Sequence, residues 1–595
     1  MRPTITSKKK VKRFLTIVLA IAMISSMVFT LCGCAGNSSA SDREGTEVKS
    51  HTEAGTGDLA DSLPEYEEFD VDSFTKACDE LEALVEAEDS EEVIAKYEEL
   101  RDLLEQLEEA YAISEIRYAQ DTTDEYWDEQ NLKNESDYID CEDRLLTCMY
   151  QATQNGCAGT LKEYFTEEEY SFIEEYEPMT DEQKELEDKE AELVNEYTEL
   201  SSNDIYDVSY IYKGKAYTLE TLDQAYEDVG VRDYDTYLEI YDGVMKGIND
   251  LLGPIYLELV QVRVQIAESY GYDNYSDYAY EEIYCRDYTP VDVQIYCDAI
   301  KEYVAPVVNG ELIYCYAEND EEAYDREEIF ENMHTVLNDA DERLVEIFDH
   351  FEDAGYYTVA TNDSMAGEAF TTKIPVVDEP YMFINTSGYG FATMTHEFGH
   401  YVDFYSQKTR ANEYLYAINI DIKESQSNGL QLLLTNYYDE IYKDPEAMKA
   451  AVLKDILDQT CSGCIEDEFQ RRVYDDPDMT LDEMNRLYCE ICREYSQYEP
   501  GDYEYTWVLI PHTYESPLYY ISYSVSTLAA LDLYNISGGD LDAAFEKYFE
   551  IVAYDDENDG LISMEDELGL TRMTDSAGIK KIVLAAAEEA LEIFE

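Results

Sequence analysis

Histidine is scarce in this chain: there are six in 595 residues, beside two tryptophans and thirteen prolines. Cations are also few. The chain has 41 Lys and Arg against 135 Asp and Glu, a formal net charge of −94. A surface this acidic repels nucleic acid and anionic lipid, so neither is expected as a partner; it reads as a solvated coat that can attract basic peptides. Beyond the first 34 residues no apolar run is long enough to cross a bilayer. Apolar residues still make up 45% of the chain, enough for real cores, and the length allows one large domain or several smaller ones. Tyrosine is abundant at 56 residues, so a cluster of tyrosines means little without other support.

The first residues read as a targeting segment. A basic stretch, "MRPTITSKKKVKRF", precedes an apolar stretch, "LTIVLAIAMISSMVFTL". The following "LCGC" resembles the bacterial lipobox, which makes Cys34 the expected lipidation site and places the mature protein outside the cytoplasm on the membrane. Residues 34–65 are polar and rich in Gly, Ser and Thr, as in a flexible tether.

The rest is expected to be mainly α-helical. Val93, Tyr97, Leu100, Leu104, Leu107 and Tyr111 recur at helical spacing, and residues 66–205 read as an N-terminal helical subdomain. Alternation around Lys213-Gly214 predicts a small hairpin, and Gly271 marks a break between helices. Between 355 and 390 the pattern changes to short strands, with a sheet edge expected at Tyr381–Asn385, where Tyr381, Phe383 and Asn385 would line an extended peptide.

Two of the six histidines stand four residues apart, in "FATMTHEFGHYVDFY". On a helix His396 and His400 share one face and can hold one metal ion, with Glu397 beside them as general base. Asp403 and Ser406 stand where an extended zinc motif would carry Gly and His, so the third ligand should be a carboxylate on a following helix. Glu413, Asp421 and Glu424 are the candidates. Glu424 fits best, because Ser427, Asn428 and Gln431 continue its polar stripe.

These segments resemble the thimet oligopeptidase and oligoendopeptidase F family of zinc metallopeptidases. "FATMTHEFGHYVDFY" resembles its zinc helix, "IDIKESQSNGLQLLL" its glutamate-ligand segment, and "PYMFIN" the strand before the zinc helix. "IPHTYESPLYYISYSVSTLAALDLY" is similar to its His-and-Tyr active-site segment. The likeness is close over roughly residues 205–590 and loose before that. It implies one Zn2+ held by His396, His400 and Glu424, with Glu397 as the base. It also implies oxyanion donors at His512, Tyr520 and Tyr523, with Tyr519 a further candidate. The implied fold is a large two-lobed multi-helix peptidase, with a deep channel and a small β-sheet beside the zinc helix. Residues 206–595 would form the catalytic domain and short unstructured peptides would be the substrates. Many members have His at the position of Asp403 and Glu at that of Gln431, so this chain departs from the family there. Two alternatives follow: a peptide-binding lipoprotein on an inactive scaffold, or a protease with one protein partner.

Two further patterns need testing. Cys461 and Cys464 ("CSGC") and Cys489 and Cys492 ("CEIC") have zinc-ribbon spacing, but their contexts read as two helices of a hairpin. Buried thiols, a disulfide or a zinc site would all fit. "DDENDGLISMED", residues 555–566, partly matches a calcium loop. His51, His334 and His350 have no evident partners in the sequence.

Overall fold

The computed structural model describes residues 63–594 apart from 177, 231, 312–325, 363, 368, 387–389, 407–418, 496–503 and 555–559. Cys34, the targeting segment, most of the tether and His51 lie outside the described residues, as do Glu413 and residues 555–559 of the calcium-like loop.

Helices dominate, and several begin at a side-chain cap. The chain opens with α1 (Val71–Glu86), α2 (Ser90–Gln120) and α3 (Glu125–Thr153). Asp70 and Asp124 cap α1 and α3 by accepting backbone N–H groups that a first turn leaves open. The heptad-like stripe on α2 is buried, as its spacing predicts. These helices enclose a core running from Phe69 to Tyr176. The next long helix, α4 (Asp181–Ser202), contributes Leu193 and Tyr197 to a second, larger core with the remainder of the chain.

Strands β1 (Tyr210–Tyr212) and β2 (Lys215–Tyr217) form the expected hairpin. Lys213 and Gly214 both take positive φ, the geometry of a tight turn that matches strand twist. The long helix α5 (Tyr234–Ser269) stops before Gly271, whose φ of +86 ends it. Then come α6 (Pro290–Tyr303), α7 (Arg326–Ala340) and α8 (Glu342–Ala354).

A three-stranded sheet follows, made of β3 (Tyr357–Ala360), β4 (Ala369–Ile374) and β5 (Glu379–Asn385), in the order β3-β5-β4. This order corrects one expectation. Tyr381–Asn385 is not an edge: β5 pairs in parallel with β3 and antiparallel with β4. Its backbone is already engaged on both sides. Its side chains are core as well, with Phe383 stacked on Phe370 and the Tyr381 hydroxyl bonded to Thr358 and Gln120. Asn385 donates to the Ala366 carbonyl rather than facing a groove. Alternation located the strand, but its neighbours came from chain segments on either side, which periodicity does not order.

Helix α9 (Phe391–Ser406) leaves this sheet and packs on α10 (Ile420–Leu434). Two further helices, α11 (Pro445–Asp475) and α12 (Leu481–Glu494), form the hairpin read from sequence, with the Thr480–Glu483 capping box present. The C-terminal elements used below are the short helix α13 (Ile521–Val525) and α14 (Thr527–Ser537).

Helices α9 and α10 touch backbone to backbone at Gly399. A Cβ there would lie 2.5 Å from Ser427 Cα and 3.0 Å from the Gln426 carbonyl oxygen. Neither atom can rotate away. Gly399→Ala is therefore expected to destabilise the fold by roughly 1–3 kcal/mol through overpacking, read as a lower thermal midpoint. An unchanged midpoint would mean that the two helices can separate without penalty.

Candidate active site

His396 and His400 project from one face of α9 toward Glu424 on α10. Their Nε2 atoms lie 3.7 and 3.8 Å from the same oxygen, Oε2 of Glu424. The two rings are 5.1 Å apart and nearly perpendicular, at 81°. One donor atom from each of the three residues falls within a 4.8 Å sphere of separations. Tetrahedral ligands at zinc distances sit about 3.4 Å from one another, so the cluster has the right span for one ion.

The electrostatics suit a cation. Burial pushes His396 down to about 4, against opposing contacts from Gln431 and Asn428. Burial also holds His400 well below its ordinary value, helped by His396 and by Lys423. Both rings are thus neutral at pH 7, and their contacts with Glu424 are not ion pairs. Two imidazoles with available lone pairs are the ligand form a metal requires. Burial pushes Glu424 up to about 7, opposed by a 3.1 Å hydrogen bond from Ser427. A bound cation would offset the desolvation that this carboxylate now bears.

Glu397, next to His396 on α9, is held by the sheet. The Thr371 hydroxyl on β4 lies 2.9 Å from Glu397 Oε2 and 3.1 Å from its backbone oxygen. The sequence carried no signal for Thr371, because it reads as one more strand residue. Asp421, a candidate third ligand, is engaged elsewhere: its Oδ2 accepts from the Tyr288 hydroxyl at 2.8 Å and faces Arg286 Nε at 3.6 Å. Asp403, at a family departure, forms a buried 2.7 Å pair with Lys423. Gln431, the other departure, lies against His396.

The His-and-Tyr segment comes to the same region. His512 is buried, with its Nε2 3.4 Å from the Tyr523 hydroxyl and its ring edge-on to Tyr520 at 4.9 Å. Tyr519 and Tyr523 both feel the charge of Glu424, which adds to burial in raising their phenols well above the ordinary value. Tyr519, the further candidate, therefore belongs to the group. Helix α11 seats this turn closely: a Cβ on Gly463 would lie 2.6 Å from the Tyr520 carbonyl oxygen, and Cys464 contacts Ser524 at 3.3 Å. The small residues of "CSGC" thus serve packing. Cys461, Cys464, Cys489 and Cys492 are buried on α11 and α12. His334 and His350 have carboxylate partners that the sequence did not reveal, Glu352 at 2.5 Å and Glu379 at 2.8 Å.

Burial pushes His512 down to about 3. An unfolded histidine titrates near 6.5, so this group's contribution to stability is complete above that pH and is lost as pH falls toward 3. Its ring proton resonances should stay constant from pH 8 to pH 5 in NMR titration. An inflection near 6.5 would mean that the ring is solvated.

Residues 63–143 match the family described as the Peptidase M3 N-terminal domain. The match thus falls on the helices where the sequence resemblance was loosest. No curated protein matches the chain. Among solved structures, PZ peptidase A with an inhibitor aligns with TM-score 0.70 at 20% identity, covering 89% of this chain and 98% of that one. Oligoendopeptidase F from Enterococcus faecium aligns with TM-score 0.55 at 14% identity, covering 88% and 98%. Residues 63–143 thus carry a Peptidase M3 N-terminal domain, and the chain shares the fold of these oligopeptidase structures along nearly its whole length.

Proposed function

We propose that the protein is a zinc endopeptidase that cleaves short, unstructured peptides outside the cytoplasm. The observation that carries this reading is the convergence of two neutral imidazoles on one oxygen of Glu424. A two-histidine, one-carboxylate donor set is that of catalytic zinc. His396, His400 and Glu424 would hold the ion. When bound, it polarises a carbonyl and acidifies water.

The remaining chemistry is assigned to the chain's own groups. Glu397 takes the proton from the attacking water, and Thr371 keeps its carboxylate aimed. Tyr520, Tyr523 and the neutral His512 offer donors to the negative charge that develops on the carbonyl oxygen; burial keeps the Tyr523 phenol protonated. The peptide is placed along β4, the edge strand that touches the Glu397 helix, in place of β5. A channel between helical lobes, implied by the family resemblance, would admit extended peptides and exclude folded proteins. Lipid at Cys34 would tether the enzyme to the membrane.

The decisive experiment incubates the purified chain with mixed unstructured peptides, with and without chelator, and follows the products by mass spectrometry. Internal cleavage should stop with chelator and return with zinc. Glu397→Gln should retain one zinc per chain while losing about 10²–10⁴-fold in kcat. Full activity in that variant would exclude Glu397 as the base. Intact peptides in every tube, with zinc bound, would favour a binding scaffold or a single-partner protease. For the tether, membrane-extracted protein should carry a diacylglycerol adduct on Cys34 by mass spectrometry, and Cys34→Ser should release the protein into the soluble fraction. An unmodified Cys34 would remove the lipid anchor.

A further inference from the structure

Arg286 is a cation with no exposed side-chain surface. Its backbone N–H donates to the Tyr280 carbonyl at 2.9 Å, after Cys285 takes a positive φ of +50. Its guanidinium lies over the rings of Tyr284 and Tyr280, at 4.4 and 4.5 Å, which fixes its plane. From there it reaches two elements of the candidate site at once. Nη2 donates to Ser522 Oγ at 2.9 Å, and Nε faces Asp421 Oδ2 at 3.6 Å.

The two contacts connect the two halves of the chemistry. Asp421 sits in the first turn of α10, three residues before Glu424 and therefore on the same helical face. Ser522 sits in α13, between Tyr520 and Tyr523. Tyr284, on which Arg286 stacks, donates to the Pro517 carbonyl at 2.8 Å and so holds the turn that leads into Tyr519. Tyr288 donates to the same Asp421 oxygen. Among the described residues, Nε and Nη1 of Arg286 and Oδ1 of Asp421 have no hydrogen-bond partner. A buried charge kept with incomplete hydrogen bonding adds little stability over an apolar replacement, so its geometry must be sought as the reason for it.

We infer that Arg286 is a positioning residue: its planar fork sets the carboxylate-ligand helix and the tyrosine donor turn at a fixed distance from each other. The inference rests on the peptidase reading for the role of the tyrosines, but not for the metal cluster. Only a guanidinium can perform both tasks, since it presents rigid donors in two directions, whereas an ammonium is a single point charge.

The test separates the two arms and includes a measurement that does not need turnover. Zinc affinity is determined on the full chain by competition with a chromophoric chelator, alongside kcat and KM on a peptide substrate. Arg286→Met should weaken zinc binding about 10- to 100-fold, the size of effect expected when the group behind a ligand is lost. Arg286→Lys keeps a charge for Asp421 and loses the fork to Ser522. It should restore zinc affinity to within about 3-fold of the parent while kcat stays at least 10-fold down and KM is little changed. Ser522→Ala should show the same split, and it leaves every charge in place should the Met variant not fold. Parental zinc affinity in Arg286→Met, or in its absence loss of zinc affinity in Ser522→Ala equal to the loss of kcat, would overturn the inference. If the parent binds zinc yet cleaves no peptide, the proposed activity fails, while the affinity measurements still decide whether Arg286 positions Glu424.

Discussion

Gly399 packs directly against the backbone at Ser427, and the candidate site depends on that approach. One turn of α9 carries His396 and His400 on either side of this glycine, and Glu424 stands one turn before Ser427 on α10. With a side chain at 399 the helices would stand apart, and the 3.7 and 3.8 Å separations to Glu424 could not both be met. The same device recurs at Gly463, where α11 comes against the Tyr520 carbonyl. Close backbone contact thus sets both the ligand cluster and the donor turn, and it leaves little room for rearrangement of either.

A chain so poor in cations must hold its buried carboxylates by other means, and tyrosine does much of this. Tyr288 donates to Asp421 at 2.8 Å, Tyr488 to Glu466 at 2.7 Å, and Tyr495 to Glu468 at 3.2 Å. Tyr176 and Tyr280 serve Asp143 and Asp467 in the same way. A phenol brings a strong donor with no charge of its own, and a ring that packs like a core residue. The buried arginines Arg263, Arg286 and Arg471 sit where such phenols and carboxylates meet. The abundance of tyrosine is therefore structural over most of the molecule, whereas the set beside His512 comes near the candidate ligand Glu424.

Much of the fold was legible in the chain itself. Helical spacing on α2, the hairpin at Lys213-Gly214, the stop at Gly271 and the capping box at Thr480 are local effects, and local rules locate them. The order of the sheet was not. β5 has strong strand character in any environment, and nothing in its own residues reveals that β4 and β3 flank it. Partners of isolated groups were hidden for the same reason: Thr371 on Glu397, Arg286 on Asp421 and Ser522, and the carboxylates at His334 and His350 are separated from them along the chain.

The sequence by itself determined which groups can do chemistry. His396 and His400 share a face because a helix repeats every 3.6 residues, and Glu424 stands out as a carboxylate in a polar stripe on an apolar helix. Only the tertiary structure decided what those groups are in place. Burial makes the two histidines neutral and raises Glu424, because removing water penalises whichever form carries charge. The choice of Glu424 over Asp421 likewise rests on packing, since Arg286 and Tyr288 already engage the aspartate and only the glutamate meets both imidazoles.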